Sequence, residues 1–430
     1  MSERIPVSLL IDNNQLYIGD GYRAKNSELD LEGFPFARAG NLNNGFQFED
    51  ADCIPYDDVK KVGVKKSRVG DVAFTSKGTI GRFGFVKSNT QKFVYSPQIC
   101  FWRSLDQNIL DSTYLYYWMN SYLFLNQVAM VSGQTDMALY VNLRDQRKMS
   151  IDLPDLSTQN KIASILSTYD DLIENNNQRI KLLEGMAEEI YKEWFVRFRF
   201  PGYIKTTFFD KDGSKVPHGT KDAVPEGWDK KSIKEIVDNI KEKYNEKEHS
   251  NLGIFDLSRM PRKSLSIPEF GASDELESSR IIFEENDILF GSIRSYFHKV
   301  SSANKKGITN VSVLVFRVKK EIYRSYALFT FFNTHFIKWS INFSNGTKMP
   351  TISWNEVQNY SINKPPEDLL ESFEEKVFPM VKEIHLLSDK NQVLQDTRDL
   401  LLPPLISGKL SVEEIDNLNM ATEHKQNTNQ

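Results

Sequence analysis

Two stretches of this chain place apolar residues in alternating steps of four and three. The first runs Ile162, Leu166, Tyr169, Ile173, Asn176, Ile180, Leu183, Ala187, Ile190, Trp194; the second runs Phe373, Val377, Met380, Ile384, Leu387, Asn391, Leu394, Arg398, Leu401. This is the coiled-coil repeat, and it predicts two long helices. The first should cover 158–198, capped by Ser157 or Thr158 and stopped by Pro201-Gly202. Pro379 should kink or restart the second, and Pro403-Pro404 should end it. Ahead of each helix the same order of events recurs, roughly 210 residues apart. A turn and buried-strand pattern comes first, at Gly70-Asp71-Val72-Ala73-Phe74 and at Asn286-Asp287-Ile288-Leu289-Phe290. An aromatic-rich helix comes next, over 114–129 and 326–337, then a glycine turn, Ser132-Gly133-Gln134-Thr135 and Asn345-Gly346-Thr347-Lys348. Pro154 and Pro365 lead out. The chain therefore reads as a duplicated α+β unit, each copy ending in a long helix. The period is far too long for a solenoid.

Each heptad seam carries one asparagine, Asn176 and Asn391. A lone polar residue on such a seam fixes register at some cost in stability. If the helices pair antiparallel with these two opposed, Trp194 falls opposite Phe373 and Leu166 opposite Leu401. A pair of roughly 50 Å would then hold two similar globular domains apart in a pseudo-twofold arrangement. The alternative is that each helix packs only on its own domain. Leu166, Asn176, Leu183, Trp194, Phe373, Ile384, Asn391 and Leu401 are the expected pairing residues. The domains are expected at 1–156 and 201–365, the helices at 157–200 and 366–410, and a polar, disordered tail at 411–430.

At 430 residues the chain has room for two or more cores. No segment approaches the roughly 18 apolar residues needed to span a membrane. Met1-Ser2-Glu3-Arg4 lacks the layout of a signal peptide. Two cysteines, Cys53 and Cys100, build no disulfide framework, so a cytoplasmic setting is expected. A net charge of −4 argues against a surface that grips nucleic acid all over, but not against local basic faces. Lys60, Lys61, Lys65, Lys66, Arg68, Lys77 and Arg82 crowd one stretch. Arg294, Lys299, Lys305 and Lys306 fall in the equivalent stretch of the second copy.

Familiar catalytic signatures are missing. Gly78-Thr79-Ile80-Gly81-Arg82-Phe83-Gly84 is followed by β-type residues, so it reads as a hairpin turn rather than a phosphate loop. There is no dinucleotide fingerprint, no Asn-Pro-Pro-Tyr run, no nucleophile elbow and no His/Cys metal cluster. The chain reads as non-catalytic, with no cofactor or metal of its own.

Leu153-Pro154, Gln159, Ile162-Ala163, Leu166, Asp170-Asp171, Ile173, Asn176-Asn177, Ile180 and Leu183 resemble the central region of Type I restriction-modification specificity subunits. Trp194-Phe195-Val196-Arg197-Phe198-Arg199-Phe200-Pro201-Gly202 is similar to the close of that helix. Leu401-Leu402-Pro403-Pro404-Leu405-Ile406-Ser407-Gly408-Lys409-Leu410 resembles the family's distal ending, and Val224-Pro225-Glu226-Gly227-Trp228 its usual start of a target recognition domain. The N-terminus lacks that last motif. The resemblance implies a DNA-reading subunit in which each globular domain recognises one half of a bipartite double-stranded target. It also implies helices that dock two methyltransferase subunits, with restriction subunits in the full complex. S-adenosylmethionine, ATP and Mg2+ would be used by those partners. A stand-alone DNA-binding protein with two recognition domains is the alternative.

Base reading in the major groove needs donors and acceptors on projecting loops, and phosphate contacts need cations beside them. The candidates in the first copy are Lys60, Lys61, Lys65, Lys66, Ser76, Lys77, Thr79, Arg82, Gln134 and Thr135. In the second they are Ser292, Arg294, Tyr296, His298, Lys299, Thr347 and Lys348. For each, the alternative is an ordinary turn or a polar group that stabilises the fold.

Overall fold

The computed structural model describes residues 3–42, 45–49, 51–77, 81–131, 140–245, 252–272 and 279–414. The chain divides into two compact units, Met1–Asp171 with Asp396–Gln430, and Leu172–Gln395. Each takes a stretch of both long helices.

In the first unit an antiparallel sheet has the strand order Leu16–Asp20, Ile99–Ser104, Val72–Thr75, Phe83–Phe85. In the second, Val237–Ile240, Val313–Val318, Ile288–Gly291 and Val300–Ser302 take the same order. The central strands are apolar on both faces and fully buried, as strands covered on two sides must be. Two helices come after each sheet: Ser112–Asn120 and Tyr122–Val131, then Arg324–Phe332 and Thr334–Asn342. The single helices expected over 114–129 and 326–337 are thus each broken in two. The break falls at Ser121 and at Asn333, where a short polar side chain bonds the local backbone in place of the helix ladder: Ser121 Oγ donates to Trp118 O, and Asn333 accepts from His335 N. A closing strand pair also recurs, Glu3–Pro6 with Ser150–Leu153 and Asp229–Ser232 with Ser361–Lys364. The two domain starts are therefore equivalent, although only the second carries the Pro-x-Gly-Trp motif.

The first long helix spans Leu156–Tyr191 and runs into a π-helical turn, Lys192–Val196. Its cap is Asp155, not Ser157 or Thr158: the Asp155 carboxylate accepts from Thr158 N and Thr158 Oγ. The second long helix is continuous over Glu367–Ile406. Pro379 does not restart it, because Val377 and Val381 on either side are held in the core and one lost backbone bond is outweighed. Pro403-Pro404 do not end it. Their carbonyls still accept, from Ser407 N and Leu410 N, and buried Leu405 and Ile406 anchor the last turn.

Within the second unit the helices pair antiparallel. Asn176 Nδ2 donates to Asn391 Oδ1 at 2.9 Å, and Asn391 Nδ2 to Asn177 Oδ1 at 2.9 Å. Arg179 bonds Glu383, and Ile180, Leu183, Ile384 and Leu387 form one apolar layer. The Trp194 and Phe373 rings lie 5.6 Å apart. Within the first unit Asp170 binds Arg398 at 2.5 Å, and Leu166 and Leu401 belong to one apolar cluster. The opposition of the two asparagines is thus as the heptads require.

His385, on the second long helix, is buried with Nε2 2.9 Å from Ser302 Oγ. Burial pushes its pKa down to about 4. The unfolded chain therefore binds more protons between that value and the ordinary histidine value of about 6.5. Stability from this group is whole above pH 6.5 and is lost as pH falls toward 4, by up to about 3 kcal/mol. Urea unfolding at pH 7 and pH 4.5 should reveal that slope, and His385→Gln should flatten it. Glu184, whose carboxyl burial raises, acts in the opposite sense, so the difference between the two proteins isolates the histidine.

Candidate nucleic-acid interface

Both sheets are pinned by one clasp. Asp71 precedes the first central strand, and its carboxylate binds Arg103 Nε at 2.5 Å and Arg103 Nη2 at 2.7 Å. Asp287 binds Arg317 the same way, at 2.8 and 2.7 Å. The paired positions arise from register, since Val72 sits across from Trp102 and Ile288 across from Phe316. The clasp fixes where each central strand enters, and hence where its far end delivers the next turn.

That turn opens on a serine in both copies. Ser76 N donates to Gln98 O and Ser292 N to Ser312 O, while their carbonyls accept from Val141 N and Ile352 N. Both serines are buried, and both hydroxyls donate to those same carbonyls of Gln98 and Ser312. These two candidates hold the turns and do not face outward.

Beyond Ser292 the chain makes a tight turn, Ser295–Phe297, bracketed by Arg294 at φ 52° and His298 at φ 51°. A non-glycine residue in the left-handed region costs on the order of 1 kcal/mol, and such outliers gather at working sites. Arg294 N donates to Pro350 O and its Nη2 to Lys348 O at 3.4 Å, which ties the turn to the 344–351 loop. Thr347 and Lys348 on that loop are exposed. Tyr296 is exposed, its ring braced edge-on by Phe297 at 4.7 Å.

The other candidates separate by what they touch. His298 Nε2 donates to Phe332 O at 2.7 Å and so points inward, and burial lowers its pKa. Lys299 Nζ donates to Leu257 O, and Lys65 Nζ to Asp20 and Gly21 O, so both are tied to the fold. Lys61 pairs with Asp58 at the surface. Lys60 and Lys77 are exposed, and Arg82 reaches Ala39 O. Lys66 lies across the Phe34 ring at 3.7 Å. Thr79, Gln134 and Thr135 lie outside the described residues.

Arg262 and Lys263 were not legible in sequence. They sit some thirty positions before Arg294, in a loop with no recurring counterpart. The fold stacks exposed Arg262 on the Phe297 ring at 4.0 Å, and Lys263 N donates to His298 O. Their charge is felt locally: Arg262 helps lower the Lys299 pKa and Lys263 that of His298, each behind burial. One face of the second unit thus gathers Arg262, Lys263, Arg294 and Lys348 around an exposed tyrosine.

Residues 17–185 and 225–369 each match the family model of the Type I restriction modification DNA specificity domain. The chain belongs to this family. The Type I restriction enzyme MjaIX specificity subunit of Methanocaldococcus jannaschii is 24% identical over 379 residues, covering 83% of this chain and 81% of that one. The MjaVIII specificity subunit of the same organism is 23% identical over 324 residues, covering 72% of each chain. Among solved structures, the Type-I restriction-modification system S subunit from M. genitalium shares the fold, with a TM-score of 0.55 at 13% identity over 94% of this chain and 96% of that one. Both family matches contain one clasped sheet and the buried serine that follows its central strand, so the duplication seen in the strand order is a duplication of the family's domain. No helix among the described residues is long and apolar enough to cross a membrane.

Proposed function

We propose that this chain is the DNA sequence-specificity subunit of a Type I restriction-modification complex, each unit reading one half of a bipartite duplex target. The observation that carries this reading is the contrast between frame and tips. Strand order, Asp–Arg clasp and buried serine recur in both units. The residues after the serine differ, Lys77 in one unit and Ile293-Arg294 in the other. One scaffold with two sets of side chains suits two different half-sites. In this reading Lys77, Arg82, Arg294, Tyr296, Thr347 and Lys348 meet DNA, with Lys60, Arg262 and Lys263 on phosphates.

In this reading the chain supplies recognition and its partners the chemistry. The exposed faces of the paired helices dock methyltransferase subunits that hold S-adenosylmethionine. Restriction subunits join with ATP and Mg2+, and the complex works on duplex DNA in the cytoplasm.

In complex with those partners, Arg294→Ala should weaken binding to the intact target by about 10- to 100-fold, the worth of one good base contact, and leave affinity for random duplex nearly unchanged. Competition with duplexes altered in one half-site at a time gives the readout. An equal loss on target and random DNA would make Arg294 a phosphate contact. No footprint on any duplex would remove the reading as a whole.

A further inference from the structure

The duplicated frame allows one corner of the molecule to be compared with itself. The turn before the first central strand is Arg68-Val69-Gly70-Asp71; its counterpart is Glu284-Glu285-Asn286-Asp287. Arg68 N and Glu284 N donate to the carboxylates of Asp71 and Asp287 at 2.9 and 2.8 Å. Gly70 N bonds Val86 O as Asn286 N bonds Ala303 O, and Val86 N bonds Asp71 O as Ala303 N bonds Asp287 O. Gly70 and Asn286 share the left-handed conformation, at φ 88° and 69°. The backbone is the same and the charge is opposite.

In the second unit the corner is acidic, Glu284 with Glu285, and the one cation paired to it among the described residues is Lys306, 2.7 Å from Glu284. In the first, Arg68 stands with Lys66 and Lys92 around a cavity of about 330 Å³, completed by Ser88 and Thr90, with no acidic side chain in its wall. None of the three cations has an acidic partner among the described residues. Lys66 is propped on the Phe34 ring. Burial first, and Lys92 second, hold its pKa below the usual lysine value. Like charges gathered this way repel unless an anion joins them. An arginine fork beside two ammonium groups and two hydroxyls matches the oxygens of a phosphate.

We propose that the Lys66–Arg68–Lys92 corner is a phosphate-binding site built into the first unit and absent from the second. It is separate from the reading turn. Val72 pairs with Phe85 and Phe74 with Phe83, so Thr75 and Arg82, bonded at the far end of that hairpin, lie roughly 10 Å away at strand rise. A ligand here is a sequence-independent backbone phosphate flanking the first half-site, or a free phosphate group. The first source rests on the DNA-reading role proposed above; the site itself does not.

The test is Arg68→Glu with Lys92→Ala, which installs the second unit's acidic residue at an exposed position. The variant is assembled with the methyltransferase partners and compared with the parent complex. Duplex binding is followed across a salt series, and inorganic phosphate binding by calorimetry. The expected result is a loss of about tenfold at 0.1 M salt and a log–log salt slope shallower by about 1–2, equal for intact and altered targets, with phosphate binding abolished. Phosphate binding lost with duplex affinity unchanged keeps the site and makes its ligand a free phosphate. Phosphate binding by a parent complex that holds no duplex keeps the site and removes the DNA reading. If the variant changes neither phosphate nor duplex binding, or loses only assembly with its partners, the site is not a phosphate site and the proposal is overturned.

Discussion

Asp71→Ala should cost about 3–5 kcal/mol of folding stability, because it leaves a buried guanidinium without its counter-charge. Arg103 is 5% exposed and Asp71 0%. The carboxylate also accepts from Tyr95 Oη at 2.9 Å and from Arg68 N. Arg103 has two further acceptors, Lys66 O and Val64 O at 3.2 and 3.5 Å, too long to replace two short charged bonds. Its stacking on Phe101 at 4.9 Å keeps it from swinging out to water. The second unit provides the internal comparison. The Arg317 side chain is 38% exposed, so water reaches the stranded charge, and Asp287→Ala should cost only about 1–2 kcal/mol. Urea unfolding of the two variants measures the contrast. Equal costs would mean that desolvation of the arginine is not what sets the penalty for losing its partner. Since Asp71 also holds the turn that presents Arg68, its loss should weaken phosphate binding too.

Phe373→Ala should cost about 3–5 kcal/mol, the usual result of emptying a full aromatic site. The ring is fully buried, with centroids 4.7 Å from Phe195, 5.6 Å from Trp194 and 6.3 Å from Tyr191. Those three rings come from the end of the first long helix, where an α-helix gives way to a π turn. Side chains that crowded cannot close the gap without moving backbone, so the cavity persists. Met186, on the first long helix and 54% exposed, is the control. Met186→Ala should stay within about 0.5 kcal/mol of the parent protein. Similar losses for both in urea unfolding would show that Phe373 does not anchor the helix pair.

The features legible in sequence are those with a period. Heptad spacing located both long helices, and one seam asparagine in each fixed the register that sets Asn176 against Asn391 and Trp194 against Phe373. The order of turn, strand, helix and proline revealed the duplication, because each copy must bury the same faces to fold. Element ends were less legible. Asp155 rather than Ser157 caps the first helix, and the second runs through Pro403-Pro404, because tertiary packing of Leu405 and Ile406 outweighs what two prolines take away.

The direction and company of each polar side chain came from folding in three dimensions alone. Ser76 and Ser292 sit in turns that look like reading loops, yet both hydroxyls are used on carbonyls of turns some twenty residues further on, Gln98 and Ser312. Lys65 and Lys299 fall within basic runs, yet each is drawn inward by a carbonyl. Arg262 and Lys263 become part of a basic face only when a distant loop folds against Ser295–Phe297. Local pattern carries periodicity and burial. Hydrogen bonding and charge are settled by atoms a few ångströms apart in space that the sequence keeps tens or hundreds of residues apart.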